Sequence, residues 1–503
     1  MASDLREHLV AYFEERHKLV EAGALHLLLT TNQPLIWSRE VIERVGPGAP
    51  FVTREDVEEM MAERAPAPRA PSSDLASSAG PTTRRTLAPK FELLREGFTG
   101  PPATTQPLQA YHALFQSRYR ALARMLRGRP QLGNLRALKE LRASEGEASV
   151  IGMVREVRET PQRHHLILTL DDETGSVELL VPRDSPGSRL TFLPDEVVGA
   201  RIQFAKDPGK IPRVTAIERP DVPHTRVLGR ATRPRRALLL SDLHIGSRSF
   251  LAEPWAELVA FLRGTSVYPE LAASIDHVVI AGDLVDGIGI YPRQERDLAI
   301  TDVVEQYVEL GRRLKELPER LQIVVVPGNH DAVCPAEPQP GLPANLASPL
   351  PSNVRALANP STFALDGVVI QAYHGRSFDD LIPAVPGASY ARPTEIMKRM
   401  LQSRHLAPIY GDRTPLAPLP QDGLVIDPLP DILVTGHVHT FGVDRYRGVL
   451  LVNASTWQAE TEYQRMRNIT PVPAHAAVVD LSTLGVVALD VSRGAPAVAE
   501  AAP

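Results

Sequence analysis

The chain has 503 residues, 43% of them hydrophobic, and a formal net charge of −5. That is enough for two to four domains with real cores, and too acidic to bind nucleic acid by bulk charge alone. No apolar run approaches the roughly 18 residues of a membrane span, and the single cysteine, Cys334, excludes an internal disulfide and a cysteine-based zinc cluster.

Residues 1–65 read as a small helical N-terminal domain. Its start is charged and amphipathic, unlike a signal peptide, and a cytoplasmic location is expected. Leu5, Leu9, Val10 and Phe13 recur at helical spacing after Ser3, an N-cap. Further helices are expected after Ser38 and after Thr53. Residues 66–105 are rich in Pro, Ala and Ser, lack periodicity and read as a flexible linker. Residues 106–145 form a helical connector whose Tyr111, Leu114, Phe115, Tyr119, Leu122 and Leu126 share one face. Its arginines, 118, 120, 124, 127 and 129, are assigned to a solvated face rather than to phosphate.

Residues 146–225 carry several short strands, the pattern of a small barrel of the OB-fold type. In "DDETG" a turn is expected, with Gly175 available for positive φ. From 226 to 490, short continuous apolar runs ("RALLL", "HVVI", "QIVVV", "GVVIQA", "DILVT", "GVLLV") alternate with helical segments. Such runs suit strands buried on both faces of a layered α/β domain. A helix in "LAITDVVEQYVELGRRLKEL" presents Ile300, Val303, Val304, Tyr307, Val308 and Leu314. Residues 491–503 read as a disordered tail. The fold class is a multidomain α/β protein: helical N-terminal domain, OB-fold barrel and layered α/β domain.

Polar residues stand at the tips of five of these strands. "RALLLSDLHIG" carries Asp242 and His244, and "HVVIAGDLVDG" carries Asp283 and Asp286. "QIVVVPGNHDA" carries Asn329, His330 and Asp331, "GVVIQAYHGRS" carries His374, and "DILVTGHVHT" carries His437 and His439. Sites in open α/β sheets form at the carboxyl ends of strands, so these side chains should converge. Each alone is weak, because a histidine or aspartate at a strand tip is usually a structural residue or a cap. Together they crowd so many carboxylates and imidazoles that cations are needed to balance them.

The set resembles the calcineurin-like metallophosphoesterase superfamily, with its D-x-H, G-D-x-x-D, G-N-H-D, H and G-H-x-H signatures all present in order. The resemblance implies two divalent metal ions. Asp242, His244 and His439 would hold one, Asn329, His374 and His437 the other, and Asp283 would bridge them. Mn²⁺ is favoured, with Fe, Zn or Mg as alternatives, because the donors mix imidazole, carboxylate and amide. His330 would donate a proton to the leaving oxygen or steady the phosphate. Asp331 would orient His330, and Asp286 would support the ligands from behind. Gly328 would let the backbone turn off its strand.

Further stretches, "GDLVDGIGIYPRQE", "YHGRSFDDLI", "RHLAPIYG" and "NASTWQAETEYQRMRNITPVPA", are similar to the small subunits of archaeal family-D DNA polymerases. That resemblance, strong over 146–480, implies a 3′–5′ exonuclease that proofreads, a nucleoid-associated location, a large catalytic subunit as partner and a DNA primer-template 3′ end as substrate. The corresponding small subunits of eukaryotic replicative polymerases share the layout without the metal ligands, so the alternatives are a non-catalytic scaffold or a stand-alone phosphodiesterase. Arg376 would grip a phosphate or pair with Asp379 or Asp380. Trp457, Tyr463 and Met466 would belong to a subunit interface or to the core. In the usual family pattern an Arg follows G-N-H-D shortly, where this chain has Cys334 and Pro335.

Overall fold

A computed structural model describes residues 89–500 apart from 99, 101–106, 142–145, 205–209, 467–468, 493 and 495, and stretches between residues 9 and 60. It divides into two compact units, Met1–Thr86 and Leu87–Pro503. In the first, β1 (Leu19–Val20) and β2 (Phe51–Val52) pair in parallel beside helices Ala22–Leu29 and Pro34–Val45. Leu9 and Phe13 are buried, and Phe13 packs with Leu28, Val41 and Val52. The helix expected after Ser38 starts earlier, at Pro34, because proline suits a first helical position, and Ser38 is buried inside it. Thr53 and Asp56 bond reciprocally, Asp56 accepting from the Thr53 amide at 2.7 Å, as in a capping box. Ser3 and residues 61–88 lie outside the described residues.

The second unit opens with β3 (Phe91–Glu96) and the helix Pro107–Arg127. Next come β4 (Glu147–Glu159), β5 (Leu166–Asp172), β6 (Gly175–Val181), β7 (Val197–Gln203) and β8 (Arg213–Glu218), which close a barrel in the order β4-β5-β6-β8-β7. Alternate strand positions such as Val150, Leu168, Leu170, Leu179 and Val198 fill its interior. The β5–β6 turn is made by Asp172, whose side chain accepts from the Thr174 and Gly175 amides at 2.6 and 3.0 Å. Gly175 already belongs to β6 and has no positive φ, so its expected role is corrected.

Two sheets follow, packed face to face. The strands are β9 (Arg236–Leu240), β10 (Ile275–Ala281), β11 (Gln322–Val326), β12 (Val354–Ala356), β13 (Ser361–Leu365), β14 (Val368–Ala372), β15 (Ile432–Thr435), β16 (Phe441–Tyr446), β17 (Val449–Ala454), β18 (His475–Asp480), β19 (Val486–Asp490) and β20 (Ala497–Glu500). One sheet runs β12-β11-β10-β9-β18-β19-β20, the other β16-β17-β15-β14-β13-β3. Ala237 and Leu239 of β9 meet Ile370, Val434 and Val452 between the sheets. Leu238 and Leu240 face the other way, onto Trp255 and Tyr307 of the covering helices. Both faces are therefore buried, which is why these strands read as unbroken apolar runs. Strands β9 to β12 are mutually parallel, as are β14, β15 and β17, so the site-bearing ends of each set lie together.

Three expectations are corrected. Residues 91–96, assigned to the linker, form an edge strand on β13, where backbone pairing and the Phe91–Phe363 stack order a segment without strand periodicity. Residues 497–500 of the expected tail pair with β19 for the same reason. In the helix Val303–Lys315 the inward face is Tyr307, Leu310, Gly311 and Leu314, while Val304 and Val308 are 44% and 45% exposed.

The helix Pro107–Arg127 joins barrel to sandwich. Tyr119 donates to the Ile151 carbonyl of the barrel at 3.1 Å. Arg118 is fully buried, with Nε donating to Asp422 at 2.7 Å and Nη1 to the Pro408 carbonyl at 2.6 Å. It is not on a solvated face, and Arg120 pairs with Glu173. Trp457 is core, at 0% exposure, and the side chains of Tyr463 and Met466 lie outside the described residues. Among the described residues no helix is long and apolar enough to cross a membrane.

Candidate metal centre

The loops that leave β9, β10, β11, β14 and β15 converge at one end of the two sheets. Asp242, His244, Asp283, His437 and His439 all take the left-handed backbone conformation, with φ of 52°, 50°, 49°, 69° and 56°. That conformation is costly for side-chain-bearing residues and persists where surrounding structure enforces it. Here it turns each side chain back over the strand ends. Glycine is needed for space at two points. A Cβ on Gly328 would lie 2.2 Å from Asp283 Oδ1, and one on Gly436 would lie 2.2 Å from Asp242 Oδ2. The φ of Gly328 is not positive, so its reason is close approach rather than the expected sharp turn.

Two groups of donors result. In the first, His244 Nε2 and His439 Nε2 are 3.0 Å apart, and Asp242 Oδ1 lies 3.2 Å from His439 Nε2 and 3.8 Å from His244 Nε2. In the second, His374 Nε2 lies 3.2 Å from Asp283 Oδ2 and 3.0 Å from Asn329 Oδ1, with the His437 ring packed on His374 at 5.2 Å. Donor atoms of Asp242, His244 and His439, and of Asp283, His374 and His437, each fall within 4.8 Å of one another. Asp283 Oδ2 is also 3.8 Å from His244 Nε2, so one carboxylate stands between the groups.

The outward ring nitrogens are occupied. His244 Nδ1 is 2.9 Å from Asp286 Oδ1, and His374 Nδ1 donates to the Ala281 carbonyl at 2.9 Å. That leaves each Nε2 to face the group, the arrangement a metal-binding histidine takes. The residues present therefore fit two divalent cations. A further trio, His244, Asp286 and His330, is also close enough, but its contacts are these supporting hydrogen bonds.

His330 is 16% exposed at the side chain, and its Nδ1 donates to the Asp286 carbonyl at 2.8 Å. Asp331 does not orient it. Asp331 Oδ2 accepts from the Gly328 and Leu284 amides at 2.8 and 3.1 Å, and Oδ1 from the Tyr307 hydroxyl at 2.8 Å. It ties the β10 and β11 loops together, because its neighbouring backbone amides need an acceptor and His330 turns the other way. Arg376 lines the cavity and donates to the Pro335 carbonyl at 2.9 Å. Asp379 is instead engaged by His437 Nε2 at 3.3 Å and by the Tyr390 hydroxyl at 2.9 Å, and Asp380 by the Arg413 and Thr414 amides.

Burial pushes the His244 ring down, but Asp242 and Asp286 outweigh it and its pKa rises to about 10. Burial likewise opposes, and Asp283 outweighs, at His374, which rises to about 9. His330 and His439 go the other way, lowered by burial that Asp283 and Asp242, respectively, only partly offset. Burial and the charge of Asp283 push Asp331 up to about 6. Metal ligation requires neutral imidazole. His244 and His374 must therefore surrender their protons, and affinity should climb as pH rises toward 9 to 10. Titration of the metal-free chain with Mn²⁺ in weak buffer should release protons, more of them at pH 7.5 than at pH 10. Release near zero at pH 7.5 would show that both rings are already neutral in the metal-free chain.

The cavity over these donors holds about 250 Å³ and is also lined by Tyr291, Asp379, Tyr390, Gln458 and Gln464. Gln458 Nε2 donates to Asp286 Oδ1 at 3.0 Å, and the Gln464 amide lies 2.5 Å from His439 Nδ1. Sequence reasoning gave Asp379 only as an alternative partner of Arg376 and assigned the other four no role in the site. All but Tyr390 lie in the stretches quoted for the polymerase resemblance, but Asp379, Gln458 and Gln464 meet their site partners His437, Asp286 and His439 across 58, 172 and 25 residues.

Known proteins share this sequence pattern. A family model for the B subunits of DNA polymerases alpha and epsilon matches residues 237–443. The DNA polymerase II small subunit of Archaeoglobus fulgidus is 40% identical over 383 residues, 76% of this chain and 77% of that protein. This chain belongs to the archaeal DNA polymerase II small subunits. The small subunit of Methanothermobacter thermautotrophicus is 41% identical over 376 residues, 73% of this chain and 77% of that one. Among solved structures, vacuolar protein sorting 29 of Cryptosporidium parvum is 20% identical and covers 53% of this small subunit and 97% of its own chain, at a TM-score of 0.30.

Proposed function

We propose that this small subunit is a two-metal 3′–5′ exodeoxyribonuclease that proofreads DNA synthesis and holds the large catalytic subunit of a family-D polymerase. The observation that carries the reading is the pair of buried donor groups hinged on Asp283. Two divalent cations held there, Mn²⁺ by preference for this donor mix, supply Lewis-acid polarisation of phosphoryl oxygens and a nucleophile at neutral pH. The chain's own residues do the rest. With Nδ1 donating to the Asp286 carbonyl, His330 presents Nε2 to the substrate. An arriving phosphodiester anion favours protonation of that ring against its burial, and Nε2–H then donates to the leaving 3′-oxygen. Asp286 holds His244 and His330 together, and Arg376 meets a phosphate oxygen.

The barrel has the strand number of an OB-fold, and we read it, with the sandwich, as the surface that carries the large subunit. Its domain limits are taken as 146–225, with the phosphoesterase domain extended to 500. Incubation of the chain, alone and with its large subunit, with a 5′-labelled primer ending in a single mismatch should give Mn²⁺-dependent shortening from the 3′ end. Matched ends should shorten more slowly, since they fray less. Absence of shortening in both preparations despite bound metal would favour a scaffold.

A further inference from the structure

The loop after β10 carries apolar side chains to the mouth of the metal cavity. Ile288 and Ile290 are 47% and 38% exposed, and Ile290 and Tyr291 line the cavity itself. Single exposed aliphatics are ordinary, but this set stands beside a polar, metal-binding floor. The loop is also pinned. Gly287 donates to Gln306 Oε1 at 2.9 Å and has φ +70°. A Cβ there would meet the His330 carbonyl at 2.2 Å. Ile290 donates from its amide to Gln294 Oε1 at 2.9 Å, and the Tyr291 hydroxyl donates to Asp297 at 3.0 Å. The apolar surface is thus held in place before any ligand arrives. Val438 and Ile469 also line the cavity.

We infer that Ile290 and Tyr291 form a platform for one nucleobase, that of the 3′-terminal nucleotide. The inference rests on the exonuclease reading and adds its substrate subsite. The chemistry of the two surfaces decides the occupant. Metal donors and Arg376 suit the phosphate, and a flat apolar-faced base suits walls of aliphatic and aromatic side chains. The cavity, about 250 Å³, is lined by both the apolar pair and the metal donors. A terminal base lying on this platform has left its partner and its stack, which selects mispaired ends because they unpair at lower cost.

The test compares wild-type chain with Tyr291→Ala, Tyr291→Phe and Ile290→Ala. Two single-stranded oligonucleotides are used, one ending in thymidine and one in an abasic deoxyribose. Wild type should remove the thymidine faster. Tyr291→Ala should lower the thymidine-over-abasic ratio of kcat/KM about tenfold, the scale of one base stacked on an aromatic ring. Ile290→Ala should lower it less, and Tyr291→Phe should restore most of it. A parallel arm measures binding of thymidine 5′-monophosphate against 2-deoxyribose 5-phosphate with Mn²⁺ present, where the same variants should erode the preference for the nucleotide. Equal loss on both ligands, or an unchanged ratio in both alanine variants, would overturn the platform. If no variant hydrolyses DNA, the exonuclease reading falls, and the binding arm still decides the subsite.

Discussion

Asp283→Ala is expected to abolish nuclease activity, by about 10³-fold or more, and to lower bound metal below two ions per chain. A loss of that size corresponds to the several kcal/mol of charge stabilisation attributed to metal clamps. Asp283 stands between the two donor groups, 3.2 Å from His374 Nε2 and 3.8 Å from His244 Nε2 through one oxygen. Its other oxygen accepts from the His330 amide at 2.8 Å, so removal also frees the β11 loop. Burial opposes its charge, yet His374 and His330 hold its pKa well below the usual carboxylate range. It is therefore an anion at any working pH and the natural counter-charge for cations. Metal content by mass spectrometry, with thermal unfolding as a control for folding, checks the claim. Full metal loading with wild-type activity would remove Asp283 from the centre.

The second large effect lies far from the centre. Arg118→Ala should destabilise the second unit by about 3–5 kcal/mol, the usual cost of leaving one member of a buried ion pair alone. Arg118 and Asp422 are 0% and 1% exposed at their side chains. Asp422 also accepts from His405 Nε2 at 2.9 Å. Burial raises the Asp422 pKa, but His405 and Arg118 outweigh it and hold the carboxyl strongly ionised. Without Arg118 that carboxylate keeps His405 Nε2 and the Leu424 amide, each at 2.9 Å, and loses its only permanent counter-charge within hydrogen-bond reach among the described residues. The helix would lose its grip on the sandwich, and the barrel it carries would be less firmly held. Denaturant unfolding measures the change. A double variant, Arg118→Met with Asp422→Leu, should recover much of the loss, since apolar replacement of a whole buried pair is often tolerated. A single-variant change under about 0.5 kcal/mol, typical of surface sites, would contradict the buried network.

These two residues mark the boundary between what was legible and what was not. Asp283 announced itself. It follows an apolar run, sits in a G-D-x-x-D pattern, and has counterparts at four other strand tips. A buried parallel strand writes itself as a short unbroken apolar stretch, and its carboxyl end is where polar residues gather. All seven expected ligands accordingly come from loops at one end of the sheets. Arg118 gave no such signal. It lies among arginines on an amphipathic helix, and its partner is 304 residues away. Composition therefore placed it in solvent.

The remaining differences have the same cause. Residues 91–96 and 497–500 become strands because a sheet edge offers backbone hydrogen bonds, which any non-proline residue can accept regardless of periodicity. Asp331 turned from His330 to two backbone amides and Tyr307, a choice made by loops that meet only in the folded chain. Asp379 reached His437 across 58 residues. Local pattern, period and strand-tip chemistry thus determined the layered class and the order in which the polar residues follow their strands. Tertiary structure alone decided which donor faces which, because hydrogen bonds and ion pairs between distant segments leave no periodic trace in either one.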